Sequence, residues 1–356
     1  MHYRQMIQTI LLICLFVSII HSKEWSRIVN LQGLWRFTIG DNERWAEPAF
    51  NDNGWDQIEV PSNWENQGYP GYDGFAWYRT GFLLSSNDVA SNNNYIRLGF
   101  IDDADEVYVN GHFIGFKGAF PPHTQTAYHE QRLYFCPADF LRSDTVNIIA
   151  VRVYDNYKEG GIIRGQTGIY KRKHLPPLDV SLAGYWKFQT GDSIQWKNPT
   201  YQDTHWQKIY VPLWWETQGF YHYDGIAWYR KRITIPDNLT GQELILLLGR
   251  IDDLDEIFLN GQRIGGTAHI QKRFDDNYLG EYYQQLRAYY LPSHLLNRYG
   301  ENTIAVRVFD GFINGGIYDI PVGITQKNKY EQWQKDHPQS PPDDNFLNEL
   351  LRSIFN

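Results

Sequence analysis

Residues 60–79 read VPSNWENQGYPGYDGFAWYR, and residues 211–230 read VPLWWETQGFYHYDGIAWYR. Thirteen of these 20 positions are identical at a constant offset of 151. Five tryptophans recur in the same order: Trp35/Trp186, Trp45/Trp196, Trp55/Trp206, Trp64/Trp215 and Trp77/Trp228. Further on, IDDADEVYVNGHFIG (101–115) matches IDDLDEIFLNGQRIG (251–265), and NIIAVRVYD (147–155) matches NTIAVRVFD (302–310). A solenoid repeats every 20–50 residues or so, and this period is far longer. Each copy is long enough to be a domain with its own core. The chain therefore reads as one domain duplicated.

Its two ends differ from the repeats. Arg4, the apolar run Ile10–Ile20 and the small Ser22 predict a signal peptide over 1–22. The expected location is thus secreted or periplasmic. No later stretch is apolar enough to read as a membrane span. The 33 basic and 41 acidic residues give a net charge of −8, and Lys171-Arg172-Lys173 is a basic run of only three residues. That balance argues against nucleic acid as a partner, and the run reads as solvated linker. Past the signal only Cys136 remains, in register with Leu291, so it reads as a small buried hydrophobe.

Within each copy the hydrophobic period is two. Ile149, Val151 and Val153 alternate with Ala150, Arg152 and Tyr154. Asn110-Gly111 and Asn260-Gly261 are strong hairpin signals, because both turn residues need positive φ. Short helices are expected at Pro137–Leu141 and Pro292–Leu296. The fold class expected is all-β, with sandwich 1 over 23–173, a stiff Pro-rich linker at 174–177 and sandwich 2 over 178–326. The tail 327–356 is expected to be polar and Pro-rich, ending in a short amphipathic helix. Phe346, Leu347, Leu350, Leu351, Ile354 and Phe355 form its stripe, and Asp343 and Asp344 its cap.

Five motifs occur in order in both copies: Gly33–Phe37, Val60–Trp64, Ala76–Arg79, Val107–Gly111 and Ile149–Val153, then Gly184–Phe188, Val211–Trp215, Ala227–Arg230, Ile257–Gly261 and Ile304–Val308. This series resembles the N-terminal sugar-binding domain of glycoside hydrolase family 2, the β-galactosidases and β-glucuronidases. The Ile-Asp-Asp-x-Asp-Glu hairpin is also similar to the module in sialate O-acetylesterases. The resemblance covers about 300 residues. It implies two tandem galactose-binding-like jelly-roll β-sandwiches. In that family catalysis belongs to an α/β barrel of roughly 250 residues, and only 30 residues follow the second copy here. No Gly-x-Ser-x-Gly elbow or His-Glu-x-x-His motif is present either.

Two groups of residues invite a functional reading. The run Asp102, Asp103, Asp105, Glu106 recurs as Asp252, Asp253, Asp255, Glu256. Paired carboxylates suit glycoside cleavage, but a run entering a hairpin reads first as turn chemistry. A structural Ca²⁺ on some of these oxygens is the remaining cofactor reading. The loop after Pro61, repeated after Pro212, is the stronger candidate for carbohydrate. It offers Trp64, Glu65, Tyr72 and Asp73, matched by Trp215, Glu216, Tyr223 and Asp224, and the second copy adds Trp214, Tyr221 and His222. Aromatic faces cover sugar C–H faces, and carboxylates accept from hydroxyls. Arg164, Asp310 and Asn314 are expected to edge the same pocket, together with Asp155 and Asn156. No catalytic or metal residue is assigned.

Three functions compete. The first is a secreted protein that binds oligo- or polysaccharide without catalysis. The second is an accessory subunit joined to another protein through the C-terminal helix. The third is a small glycosidase using local carboxylates.

Overall fold

A computed structural model describes residues 24–267, 270 and 282–338. The signal segment 1–22 and the stripe 346–355 lie outside the described residues. The regular structure of the described residues is mostly strand, and they divide into two compact units between His174 and Leu175.

The first unit pairs a six-stranded antiparallel sheet with a four-stranded one. The larger sheet runs Asp56–Val60, Gly33–Ile39, Gly74–Leu83, Val146–Asp155, Ala104–Val109, His112–Lys117 in spatial order. The smaller runs Trp25–Asn30, Gly161–Arg172, Asn94–Asp102, Gln131–Cys136. Ile149, Val151 and Val153 point into the core between them, where Trp35, Phe37, Leu98, Ile162 and Ile169 meet them. Cys136 lies in that core as a free thiol, and burial pushes its pKa up.

The second unit repeats the six-stranded sheet: Gln207–Val211, Gly184–Thr190, Gly225–Thr234, Glu301–Asp310, Leu254–Leu259, Gln262–Gly266. Its second sheet is broken. Val180–Ser181, Val322–Gln326, Leu244–Leu248 and Ala288–Leu291 form four strands, and Ile251–Asp252 pairs separately with Gly316–Ile317. Gly249 sits at the break with φ 57°, and a Cβ there would lie 1.6 Å from the Asp319 carbonyl oxygen, so only glycine fits.

Alternation predicts opposite faces for Trp77 and Tyr78, yet both are wholly buried. The outer face of the large sheet is roofed by the segment carrying Trp45 and Trp55, and Trp77 packs beneath them. Arg79 is buried under the same roof. Its Nε donates to Asp52 Oδ2 at 2.8 Å, and its Nη1 to the carbonyls of Trp45 and Glu47. Arg230, Asp203, Trp196 and Asn198 repeat the arrangement. The recurring tryptophans are therefore mostly packing residues.

Both Asn-Gly hairpins form, with φ 51° and 85° at Asn110-Gly111 and 48° and 84° at Asn260-Gly261. Three expectations need correction. Residues 292–296 form a turn rather than a helix, unlike Ala138–Phe140. Lys171 and Arg172 end a strand, with Lys171 Nζ 2.7 Å from Asp88 Oδ1, instead of lying in linker. The tail begins with an α-helix, Lys327–Asp336, because Tyr330 and Trp333 have a sheet face of Ile245 and Leu247 to cover.

Candidate functional site

The run of four acids splits according to strand direction. Asp105 points inward, where Arg132 Nε and the Tyr134 hydroxyl each donate to it at 2.5 Å. Asp255 has the same partners in Arg287 and Tyr289. Glu106 and Glu256 instead accept from Arg152 (3.0 Å) and Arg307 (2.9 Å) on the roofed face. These four carboxylates are structural. Asp102 and Asp103 lie at one end of the sandwich, joined by a cis peptide, as are Asp252 and Asp253.

There they meet a residue from a distant part of the chain. Asp155 ends the central strand Val146–Asp155, and Asp310 ends Glu301–Asp310. Carboxylate oxygens of Asp102, Asp103 and Asp155 all lie within 4.8 Å of one another, and so do those of Asp252, Asp253 and Asp310. Asp155 and Asp310 are each 0% exposed. Burial first, and neighbouring carboxylates after it, push Asp155 up to about 7 and Asp310 up to about 9. The same causes push Asp102 up to about 7.

The Pro61 loop packs against this end. Trp64 inserts beneath Gly160, where an added Cβ would lie 2.2 Å from its Cζ2; Trp215 and Gly315 repeat this at 1.9 Å. Both oxygens of Glu65 accept from Gly160 N–H at 3.1 and 3.2 Å, and both of Glu216 from Gly315 N–H at 3.0 and 3.1 Å. Glu216 is 2% exposed, and burial pushes it up to about 8. The hydroxyls of Tyr72 and Tyr223 donate to the carbonyls of Phe75 (2.7 Å) and Ile226 (2.6 Å).

These contacts correct the reading of Trp64 and Trp215 as open sugar platforms. Both are wholly buried, and Glu65, Glu216, Tyr72 and Tyr223 are occupied in holding the loop. Asp73 and Asp224 remain exposed. Asp73 adds to the negative field on Asp155, and Asp224 to that on Glu216. Tyr221 and His222 are exposed at the loop tip. Trp214 stacks flat on Tyr318, centroids 3.9 Å apart, and one ring face is covered within its own unit. Arg164 is exposed, with its guanidinium 4.3 Å from the centroid of the Phe100 ring. Among the described residues no ion pair joins it to the aspartates. Asn314 is half-buried and sits in the closing turn after Asp310.

Two residues absent from the sequence-based candidates stand out here. Tyr157 and Phe312 occupy matching places two residues beyond Asp155 and Asp310, and their N–H groups donate to those carboxylates at 3.3 and 3.2 Å. They are 68% and 75% exposed. The available signal was an aromatic in a turn between an Asp and Gly-Gly, with no strand face to cover it.

The site is thus a loop-built end of a β-sandwich, acidic at its floor and aromatic at its rim. No family model matches the chain. It is 26% identical over 180 residues to β-galactosidase BoGH2A of Bacteroides ovatus, an alignment covering 46% of this chain and 20% of that enzyme. It is 29% identical over 111 residues to a β-galactosidase of Vibrio vulnificus, covering 24% and 11%. Among solved structures it is similar to a Bacteroides uniformis β-glucuronidase, with a TM-score of 0.35 and 16% identity over 80% of this chain and 28% of that one. The chain spans a fifth or less of the length of these curated relatives. Its sequence relatives are glycosidases, and the likeness is confined to part of them.

Proposed function

We propose that this protein binds carbohydrate at the loop end of its sandwiches, mainly the second, and does not cleave it. The observation that carries the reading is the exposed ring of Phe312 in the turn that follows the carboxylate cluster Asp252, Asp253 and Asp310, in a chain related to β-galactosidases. A hexose presents an apolar C–H face to such rings and hydroxyl donors to such oxygens.

The carboxylates are poorly placed for hydrolysis. A retaining pair stands about 5–5.5 Å apart and an inverting pair about 6.5–9.5 Å, facing each other across the glycosidic bond. Here the aspartates are packed side by side, Asp310 is sealed from solvent, and Glu216 is tied to a backbone N–H. Arg4 and the run Ile10–Ile20 support export as part of the same proposal. N-terminal sequencing of protein from its native host should then begin at Lys23.

A glycan array including galactose- and glucuronate-terminated oligosaccharides tests the function. The reading expects a defined subset of spots, weakened by Phe312→Ala. Turnover of aryl glycosides abolished by Asp253→Asn would overturn the non-catalytic part, and a blank array would overturn the binding.

A further inference from the structure

We propose that each sandwich holds one divalent cation of the calcium type: Asp102, Asp103 and Asp155 bind it in the first unit, and Asp252, Asp253 and Asp310 in the second. The inference concerns the same carboxylates as the proposed function, but its test reads metal uptake alone and contains no sugar, so the two can fail separately.

The spacing fits such an ion. Ca²⁺ takes oxygen ligands at about 2.3–2.6 Å, so two oxygens on opposite sides of it are about 4.6–5.2 Å apart. In each triad the carboxylate oxygens fall within 4.8 Å of one another. The donor set contains no His or Cys, which selects hard cations over zinc or copper.

A separate observation points to a ligand rather than to crowded surface acids. Asp155 and Asp310 are wholly buried, and the Oδ2 atom of each has no hydrogen-bond partner. Buried carboxylate oxygens without a donor are rare, because desolvating them is unfavourable. The same atom is orphaned in both copies. Among the described residues neither aspartate has a Lys or Arg within 4 Å, unlike Asp105 and Asp255 at the other end of the same acidic run.

The remaining oxygens hold the carboxylates in place. Asp103 Oδ2 accepts from Asn156 N–H at 3.0 Å, and Asp155 Oδ1 from Tyr157 N–H at 3.3 Å. In the second unit Asp253 Oδ2 accepts from Gly311 N–H at 3.0 Å, and Asp310 Oδ1 from Phe312 N–H at 3.2 Å. Backbone donors that orient ligating carboxylates are the usual outer shell of a metal site. A cation here ties the strand end at 155 or 310, and the turn that follows it, to the Asp102-Asp103 or Asp252-Asp253 segment.

The test is calorimetric titration of the full mature chain, stripped with EDTA, with calcium chloride near pH 7.5. Two equivalents are expected, bound at least tenfold more tightly than magnesium. Asp155→Asn and Asp310→Asn should each leave one equivalent, and the double variant none. If the buried variants fail to fold, Asp102→Asn and Asp252→Asn, at partly exposed positions, should each weaken one site tenfold or more. No uptake by the native chain at millimolar calcium overturns the proposal. So does uptake that these substitutions leave unchanged, or magnesium bound more tightly than calcium.

Discussion

After Asp155 the first copy continues Asn156-Tyr157-Lys158-Glu159; after Asp310 the second continues Gly311-Phe312-Ile313-Asn314. Both turns lead into Gly-Gly, and both receive the loop tryptophan and glutamate in the same way. The first turn is charged, with Lys158 Nζ 5.1 Å from the centroid of the Tyr157 ring. The second presents Phe312 and Ile313 to solvent instead. A second exchange accompanies the first: Asn63 and Ile163 give way to Trp214 and Tyr318, which stack. What faces the core is kept in both copies, and what faces solvent has become more apolar in one. Contiguous exposed apolar surface rimmed by polar groups is the kind that marks an interaction site. Under the proposed function, this difference gives the second copy the larger part in recognition.

The shared interior supplies the largest expected effects. Asp105→Ala and Asp255→Ala each strand a buried arginine, and each should lower the stability of its own unit by about 3–5 kcal/mol. Calorimetry that found only one of them damaging would break the equivalence of the two interiors. Gly160→Ala and Gly315→Ala drive a methyl group into a buried indole, at an expected loss of about 1–3 kcal/mol each. The second should be the more damaging, because its clash is closer.

A pH series sharpens the difference. Glu216 is held up to about 8 by burial, against an ordinary value of 4.5. The folded state therefore keeps a proton that the unfolded chain has already released. That contribution is complete below about pH 4.5 and is lost as pH rises through about 8, at no more than about 1.4 kcal/mol per pH unit. Chemical denaturation in EDTA between pH 5 and 9 should show the second unit weakening, and Glu216→Gln should reduce the slope without abolishing it, because Asp310, held up to about 9, acts in the same direction. A slope unchanged by that variant would place the proton elsewhere.

Much of the fold was legible in the sequence. The period of two at 149–153, the Asn-Gly turns and the duplication together led to antiparallel strands in the right places. The roof over Trp77 was not legible, because alternation gives one face to the core and does not say what covers the other. The acidic run posed a related difficulty. Its four residues look alike in sequence, yet Asp105 finds Arg132, Glu106 finds Arg152, and Asp102 and Asp103 find Asp155, all from distant segments. In sequence the loop residues Trp64 and Glu65 look like surface groups, because the glycine that receives them lies 95 residues after the glutamate. Phe312 is hard to single out in sequence because the polar groups of its turn, Asp310 and Asn314, carry the more obvious binding signal.

Titration of the mature chain with the tightest-binding oligosaccharide from the array, in parallel with Phe312→Ala and Tyr157→Ala, tests the central claim most directly. Phe312→Ala should raise Kd about tenfold, the equivalent of about 1.4 kcal/mol, and Tyr157→Ala should change it less than twofold. Equal losses at the two positions, or a loss at Tyr157 alone, would contradict the assignment of recognition to the second copy.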